Sequence, residues 1–110
     1  MTLDEYQAQA AATSLMKEND ERLLIYTALG MNGEAGEVAD KVKKILRDQN
    51  GDFSKLDKDD ITKELGDVLW YVAMFAKSLD ISLDDVATTN VEKLASRKQR
   101  NVLGGSGDNR

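Results

Sequence analysis

Two short runs concentrate the carboxylates of this chain at spacings that suit chemistry. Gly33-Glu34-Ala35-Gly36-Glu37 and Glu64-Leu65-Gly66-Asp67 each carry two acids three residues apart, the separation at which side chains share one face of a helix. With Glu34 set to zero on a helical wheel, Glu37 falls near about −60°, while Met31, Val38, Val42 and Ile45 centre near about +50°. With Glu64 at zero, Asp67 again falls near about −60°, and Ile61, Leu65, Val68, Val72 and Phe75 centre between about +50° and +70°. Both acid pairs therefore border an apolar stripe. If the two stripes pack together, all four carboxylates reach the edge of one groove, where they repel one another unless a cation lies between them. The chain has no cysteine and no histidine, so the expected cation is a hard, oxygen-seeking one, Mg²⁺ or in its place Mn²⁺.

Gly33, Gly36 and Gly66 adjoin these acids, although each glycine costs about 1 kcal/mol relative to alanine inside a helix. Close helix approach, or room for a ligand beside the backbone, is the expected compensation. Lys41 and Tyr71 each lie one turn beyond an acid pair and share its face. Lys41 is placed to meet a phosphate. Trp70 falls near about 240°, opposite the stripe, and reads as an exposed ring at a subunit interface or a pocket wall. Further on, Asn90, Lys93 and Arg97 recur at three and four residues and form one polar face suited to phosphate or sugar oxygens. The same basic residues also fit a solvated helix end, where they oppose the helix dipole. Asp57, Asp59, Asp60, Asp84 and Asp85 stand at helix starts and read as caps.

Four helices are needed to position these groups. Thr2 with Glu5 forms a capping box ahead of Leu3, Tyr6 and Ala10, predicting a first helix over about residues 3–15. Asn19 or Asp20 caps a long second helix that ends at Asn50-Gly51. Asp57 caps a third, reaching Leu79, and Ser82 with Asp85 opens a fourth that runs to about Arg97. The short polar link from Gly51 to Lys58 makes the two long helices antiparallel neighbours. Proline is absent and β-branched runs are missing, so the fold class is all-α. Residues 1–100 form one helical domain. Residues 101–110, with three glycines and little to bury, read as a tail left mobile unless a ligand or partner orders it.

Of 110 residues, 20 are acidic and 15 basic, a net charge of −5, which excludes the basic surface that nucleic acid requires. No stretch approaches a membrane span and no leader pattern opens the chain, so a cytoplasmic protein is expected. A domain this small gains by hiding apolar area against copies of itself.

The spacing Glu34-x-x-Glu37 followed by Glu64-x-x-Asp67 resembles the signature of MazG-type all-α nucleoside triphosphate pyrophosphohydrolases. The similarity extends through Gly33–Val38, through Glu64-Leu65-Gly66-Asp67-Val68-Leu69-Trp70-Tyr71, through Asn90-x-x-Lys93-Leu94-x-x-Arg97, and into the closing Gly107-Asp108-Asn109-Arg110. The resemblance implies a four-helix, MazG-like bundle completed by oligomerisation, as a homodimer or homotetramer. It implies that Glu34, Glu37, Glu64 and Asp67 hold Mg²⁺, and that water cleaves a nucleoside triphosphate between its α and β phosphates. The products are the monophosphate and pyrophosphate, with Glu37 the favoured general base. Lys41, Tyr71, Asn90, Lys93 and Arg97 would contact substrate, Tyr71 by stacking on the base. Stripe-edge packing is the competing reading of Tyr71. The implied role is house-cleaning of the nucleotide pool. Two other readings stand beside it: a phosphoribosyl-ATP pyrophosphohydrolase, and a non-catalytic helical interaction module.

Overall fold

The computed structural model describes all 110 residues. Thr2 and Glu5 cap each other reciprocally, the Thr2 hydroxyl accepting from the Glu5 amide at 3.0 Å and the Glu5 carboxylate accepting from the Thr2 amide at 2.7 Å. They open α1 (Leu3–Ala11), which is shorter than the expected helix over 3–15. The Thr13 hydroxyl donates back to the Ala10 carbonyl at 2.7 Å and Ser14 donates to the Met16 carbonyl at 2.8 Å, and such side-chain bonds compete with helix continuation. Leu15 has nothing to pack against and is fully exposed.

The second helix, α2 (Arg22–Asp48), begins where the Asp20 carboxylate accepts the Arg22 amide at 2.9 Å. Of the two expected caps, Asp20 supplies the bond, although the N-cap position itself is Glu21, which makes none. The helix stops where expected. Asn50 and Gly51 both take positive φ, 54° and 72°, and the Gly51 amide returns to the Ile45 carbonyl at 3.2 Å, a left-handed termination. A 3-10 turn (Phe53–Lys55) leads to α3 (Lys58–Ser78), capped by Asp57 through the amides of Asp59 and Asp60 at 3.0 and 3.1 Å. Ser82 caps α4 (Leu83–Gln99) through the Asp85 amide at 3.2 Å.

Helices α2 and α3 form an antiparallel hairpin, and α1 crosses the end where α2 begins and α3 finishes. Ala10, Leu23, Ala73, Met74 and Leu83 meet there as the buried core. Gln7 is buried beside them. Its amide nitrogen donates to the carbonyls of Ala73 and Ile81, each at 3.0 Å, and its oxygen accepts from the Leu83 amide at 3.3 Å. One side chain thus ties α1 to α3 and to the start of α4. Asp4 and Asp84 repeat the tie outside the core, Asp4 accepting from the Asp84 amide at 3.0 Å and Asp84 from the Leu3 amide at 3.2 Å. Asp84 therefore caps α1 rather than its own helix.

Helix α4 leaves this junction without packing against α2. The radius of gyration is accordingly 16.9 Å, against about 13 Å for a compact chain of this length. Val86, Val91 and Leu94 of α4 remain exposed. The C-terminal residues, expected to be mobile unless held, fold back on α4. Arg110 donates to the carbonyls of Val102, Leu103 and Gly104 at 3.0–3.2 Å, and Arg97 donates to the Asp108 carbonyl at 2.8 Å. The chain's own arginines supply that order, which a count of glycines and apolar residues does not reveal. No helix is long and apolar enough to cross a membrane.

Candidate active site

The α2–α3 hairpin sets two complementary ladders face to face. On α2 the ladder is Gly30, Glu34, Glu37 and Lys41; on α3 it is Asp60, Glu64, Asp67 and Tyr71. Both step by four, three and four residues, so each stays on one helix face. Because the helices are antiparallel, Gly30 meets Tyr71, Glu34 meets Asp67 and Glu64, and Lys41 meets Asp60 and Glu64. Oxygens of Glu34, Glu64 and Asp67 lie within 4.8 Å of one another.

Of the four acids expected at this groove, three make up the group, and Glu37 is exposed beyond it. Glu37 still acts on its neighbour. Desolvation, followed by the charges of Asp67, Glu64 and Glu37, raises the pKa of Glu34 above the ordinary glutamate value. Lys41 is half-buried, ion-paired to Asp60 and to the Glu64 carboxylate at 3.0 Å. Hydrogen bonds to Asp60 and then Glu64 raise its pKa. Asp60, expected to be a cap, instead receives this ammonium, while Asp57 does the capping.

Above the acids the wall is aromatic. Tyr71 lies against Gly30 so closely that a β-carbon there would come within 2.1 Å of its ring. Its hydroxyl meets that of Tyr26 at 3.2 Å, and its ring meets Trp70 edge-on with centroids 5.0 Å apart. The Tyr26 hydrogen bond first, then burial, then the charges of Tyr26, Glu34 and Asp67 push the Tyr71 phenol up to about 12. Trp70, expected to be exposed, is half-buried: its indole donates to the Thr13 hydroxyl at 2.8 Å, and its ring packs on the core. A wheel built for α3 and α2 alone omits α1, whose end covers this ring.

These rings and the acids Glu34 and Asp67 line an open cleft of about 780 Å³, bordered on its other side by Thr13, Leu15, Met16, Lys17, Asp20 and Arg22. Sequence reasoning missed this wall. All but Arg22, at the start of α2, lie in the loop after α1, where no periodicity announces which way a side chain faces. Tyr26 and Gly30 were missed as well, although their places eight and four residues before Glu34 put them on the same helix face. Gly33, Gly36 and Gly66 have open space where a β-carbon would stand, so close helix approach does not explain them. Gly30 is the glycine that helix approach requires.

Helix α4 contributes nothing to the cavity. Asn90 and Lys93 line a separate hollow of about 360 Å³ with Ile81, Asp85, Val86 and Thr89. Lys93 also reaches Asp108 at 3.4 Å, and Arg97 is buried, its Nη2 donating to Gly107 and Asp108 while its Nε has no partner. Within this chain the two basic groups hold the C-terminal residues.

A family model, the MazG nucleotide pyrophosphohydrolase domain, matches residues 24–102. The chain belongs to the MazG family. It is also 47% identical, over 114 aligned positions spanning the whole of both chains, to the Gene 37 protein of Mycobacterium phage L5. No solved structure matches it. The MazG match begins just inside α2, so α1, the loop carrying Thr13 and Lys17, and Arg22 at the start of α2 lie outside it. The carboxylates of the MazG domain offer oxygen donors alone, from two helices held in register, a set that fits a hard divalent cation.

Proposed function

We propose that the chain is a magnesium-dependent nucleoside triphosphate pyrophosphohydrolase, converting a ribo- or deoxyribonucleoside triphosphate to its monophosphate and pyrophosphate. The observation that carries this reading is the convergence of Glu34, Glu64 and Asp67 within 4.8 Å beside an aromatic-walled cavity. A cavity of about 780 Å³ falls within the range of roughly 300–1,000 Å³ typical of small-molecule sites. Bound at these carboxylates, Mg²⁺ would screen phosphate charge and lower the pKa of a water. The water oxygen forms a bond to the α-phosphorus as the bond from that phosphorus to the α–β bridging oxygen breaks, and pyrophosphate leaves. Glu37, close to Glu34 yet outside the converging group, takes the water's proton. Tyr71 offers a face to the base, with Trp70 and Tyr26 fixing its ring.

Exposed Ile25, Leu29, Leu65 and Leu69 on the hairpin support completion of the bundle as a homodimer or homotetramer, since a lone domain rarely leaves such a face open. Through such an assembly Asn90, Lys93 and Arg97 of one copy would face the groove of another. A cytoplasmic house-cleaning role follows from the same reading.

The test is a panel of nucleoside triphosphates and phosphoribosyl-ATP assayed for pyrophosphate release with and without Mg²⁺. Release from nucleoside triphosphates is expected, and Glu37→Gln is expected to lower kcat by about 10²–10⁴-fold, the usual contribution of a general base. Asp67→Asn should abolish turnover. Full activity in both variants, or no release from any nucleotide, overturns the proposal.

A further inference from the structure

Lys41 is the only basic side chain ion-paired to any member of the converging carboxylate group, and it is paired to Glu64. From α2 its ammonium crosses to α3 and lies between Asp60 and Glu64, which are four residues apart on one face. An ammonium has three protons and serves both carboxylates at once. A divalent cation taken up by Glu64 draws on the same carboxylate as the ammonium, so the two cations compete. Asp60 has a different standing: it belongs to Lys41 alone and is no part of the converging group.

We infer that Lys41 is a built-in competitor of the metal, and that Asp60 is the place to which its ammonium withdraws when metal occupies Glu64. This rests on the reading of Glu34, Glu64 and Asp67 as metal ligands. Thermodynamic linkage makes the effect reciprocal: whatever factor Lys41 takes from the metal's affinity, the metal takes from the Lys41–Glu64 pair. Free metal therefore binds weakly. Metal accompanied by a polyphosphate binds better, because the displaced ammonium, still anchored at Asp60, then faces an anion. The lysine thus couples metal binding to nucleotide binding and keeps the empty site from filling with metal alone.

The full chain is titrated with Mn²⁺ without nucleotide, by calorimetry or by electron paramagnetic resonance of the free ion. Lys41→Gln is expected to tighten Mn²⁺ binding by about fivefold or more, the low end of coupling between linked sites. Lys41→Arg, which keeps the charge, should stay near wild type. Asp60→Asn should weaken binding, since the ammonium then rests on Glu64 alone, and should have little effect once Lys41→Gln is present. A structural ion pair gives a different pattern: Lys41→Gln would lower Tm and leave Mn²⁺ affinity unchanged or weaker, and that result overturns the inference. An equal Asp60→Asn effect with and without Lys41 overturns the role of Asp60. Asp67→Asn serves as the separate check on the ligand assignment. If it leaves Mn²⁺ binding intact, the site reading fails; if it abolishes binding while Lys41→Gln changes nothing, only the competitor role fails.

Discussion

The two ends of the α2–α3 hairpin are joined by different forces. Where α1 crosses, Leu23, Ala73 and Met74 have no exposed surface and Gln7 satisfies both ends of its amide. Toward the α2–α3 turn, Leu46 and Leu65 remain 64% and 54% exposed, Ile45, Leu56 and Ile61 are only half-buried, and the pairing of Lys41 with Asp60 and Glu64 crosses between the helices. Burial and the Gln7 hydrogen bonds hold the first end whatever the salt, and the Asp4 carboxylate adds a tie that is lost on protonation. Ion pairs open to water contribute little each and are screened. The packed end can therefore supply the stability that lets the other end carry clustered carboxylates, which repel when no cation is bound. Functional groups often oppose stability in this way and depend on the rest of the fold to compensate.

The largest effect expected from this division is at Leu23. Leu23→Ala opens a cavity among Ala10, Met74 and Leu83 and should cost about 2–5 kcal/mol, a large share of the roughly 5–15 kcal/mol that holds a domain together. Urea unfolding, followed at several protein concentrations, measures it. Leu46→Ala, at the charged end, should stay within about 0.5 kcal/mol. If the two cost the same, the contrast between the ends is wrong for the monomer. A Leu46→Ala loss that grows with protein concentration would show instead that copies of the chain cover this face.

Glycine substitutions sharpen the same contrast along one helix. A β-carbon at Gly30 would lie 2.1 Å from the Tyr71 ring, so Gly30→Ala must displace a ring held by Tyr26 and Trp70. It should destabilise by about 1–3 kcal/mol, the range for overpacking, and loosen the aromatic wall. At Gly33 nothing stands within 4 Å of the added carbon. Gly33→Ala should therefore stabilise the free protein by up to about 1 kcal/mol through helix propensity. Loss of nucleotide turnover in that more stable variant would mean that the open space beside Glu34 is used by substrate. Thermal unfolding and the pyrophosphate assay, run on both variants, decide it.

What could be read in advance follows the range of the interactions. Helix starts rest on a side chain and an amide two or three residues away, which is why Thr2, Asp57 and Ser82 disclose theirs. The meeting of Glu34, Glu64 and Asp67 was legible as a face-sharing pattern, because each helix keeps its acids beside its own apolar stripe. Contacts between elements with no shared period were not legible. Gln7 looks like an ordinary polar residue on α1, Trp70 looks exposed until α1 is laid over it, and Arg97 and Arg110 gain their partners only once the chain has turned back. Lys41 shows the limit within one motif: its face was plain from spacing, yet its partner Asp60 was claimed by an equally reasonable role as a helix cap.

The smallest expected effect concerns pH, and its sign sets Glu34 apart from the ion-paired aspartates. Glu34 has a folded-state pKa above the ordinary value, chiefly from desolvation and then from Asp67, Glu64 and Glu37. Between the unfolded value of about 4.3 and that higher folded value, the native state holds more protons than the unfolded state. This group therefore makes stability fall as pH rises through the window. Asp20, Asp40, Asp48 and Asp108 act in the opposite direction, because their partners lower their pKa values and their contribution is lost as pH falls. The informative quantity is the difference between the wild type and Glu34→Gln, in which the aspartates cancel. In chelator-treated protein Glu34→Gln should be the more stable at neutral pH, with the advantage shrinking as pH is lowered through the window. Mg²⁺ raised until it fills the site should reverse the order, because only the wild type regains a partner for its carboxylate. An advantage that persists unchanged at low pH, or is indifferent to Mg²⁺, would mean that Glu34 is strained by packing rather than by its fellow acids.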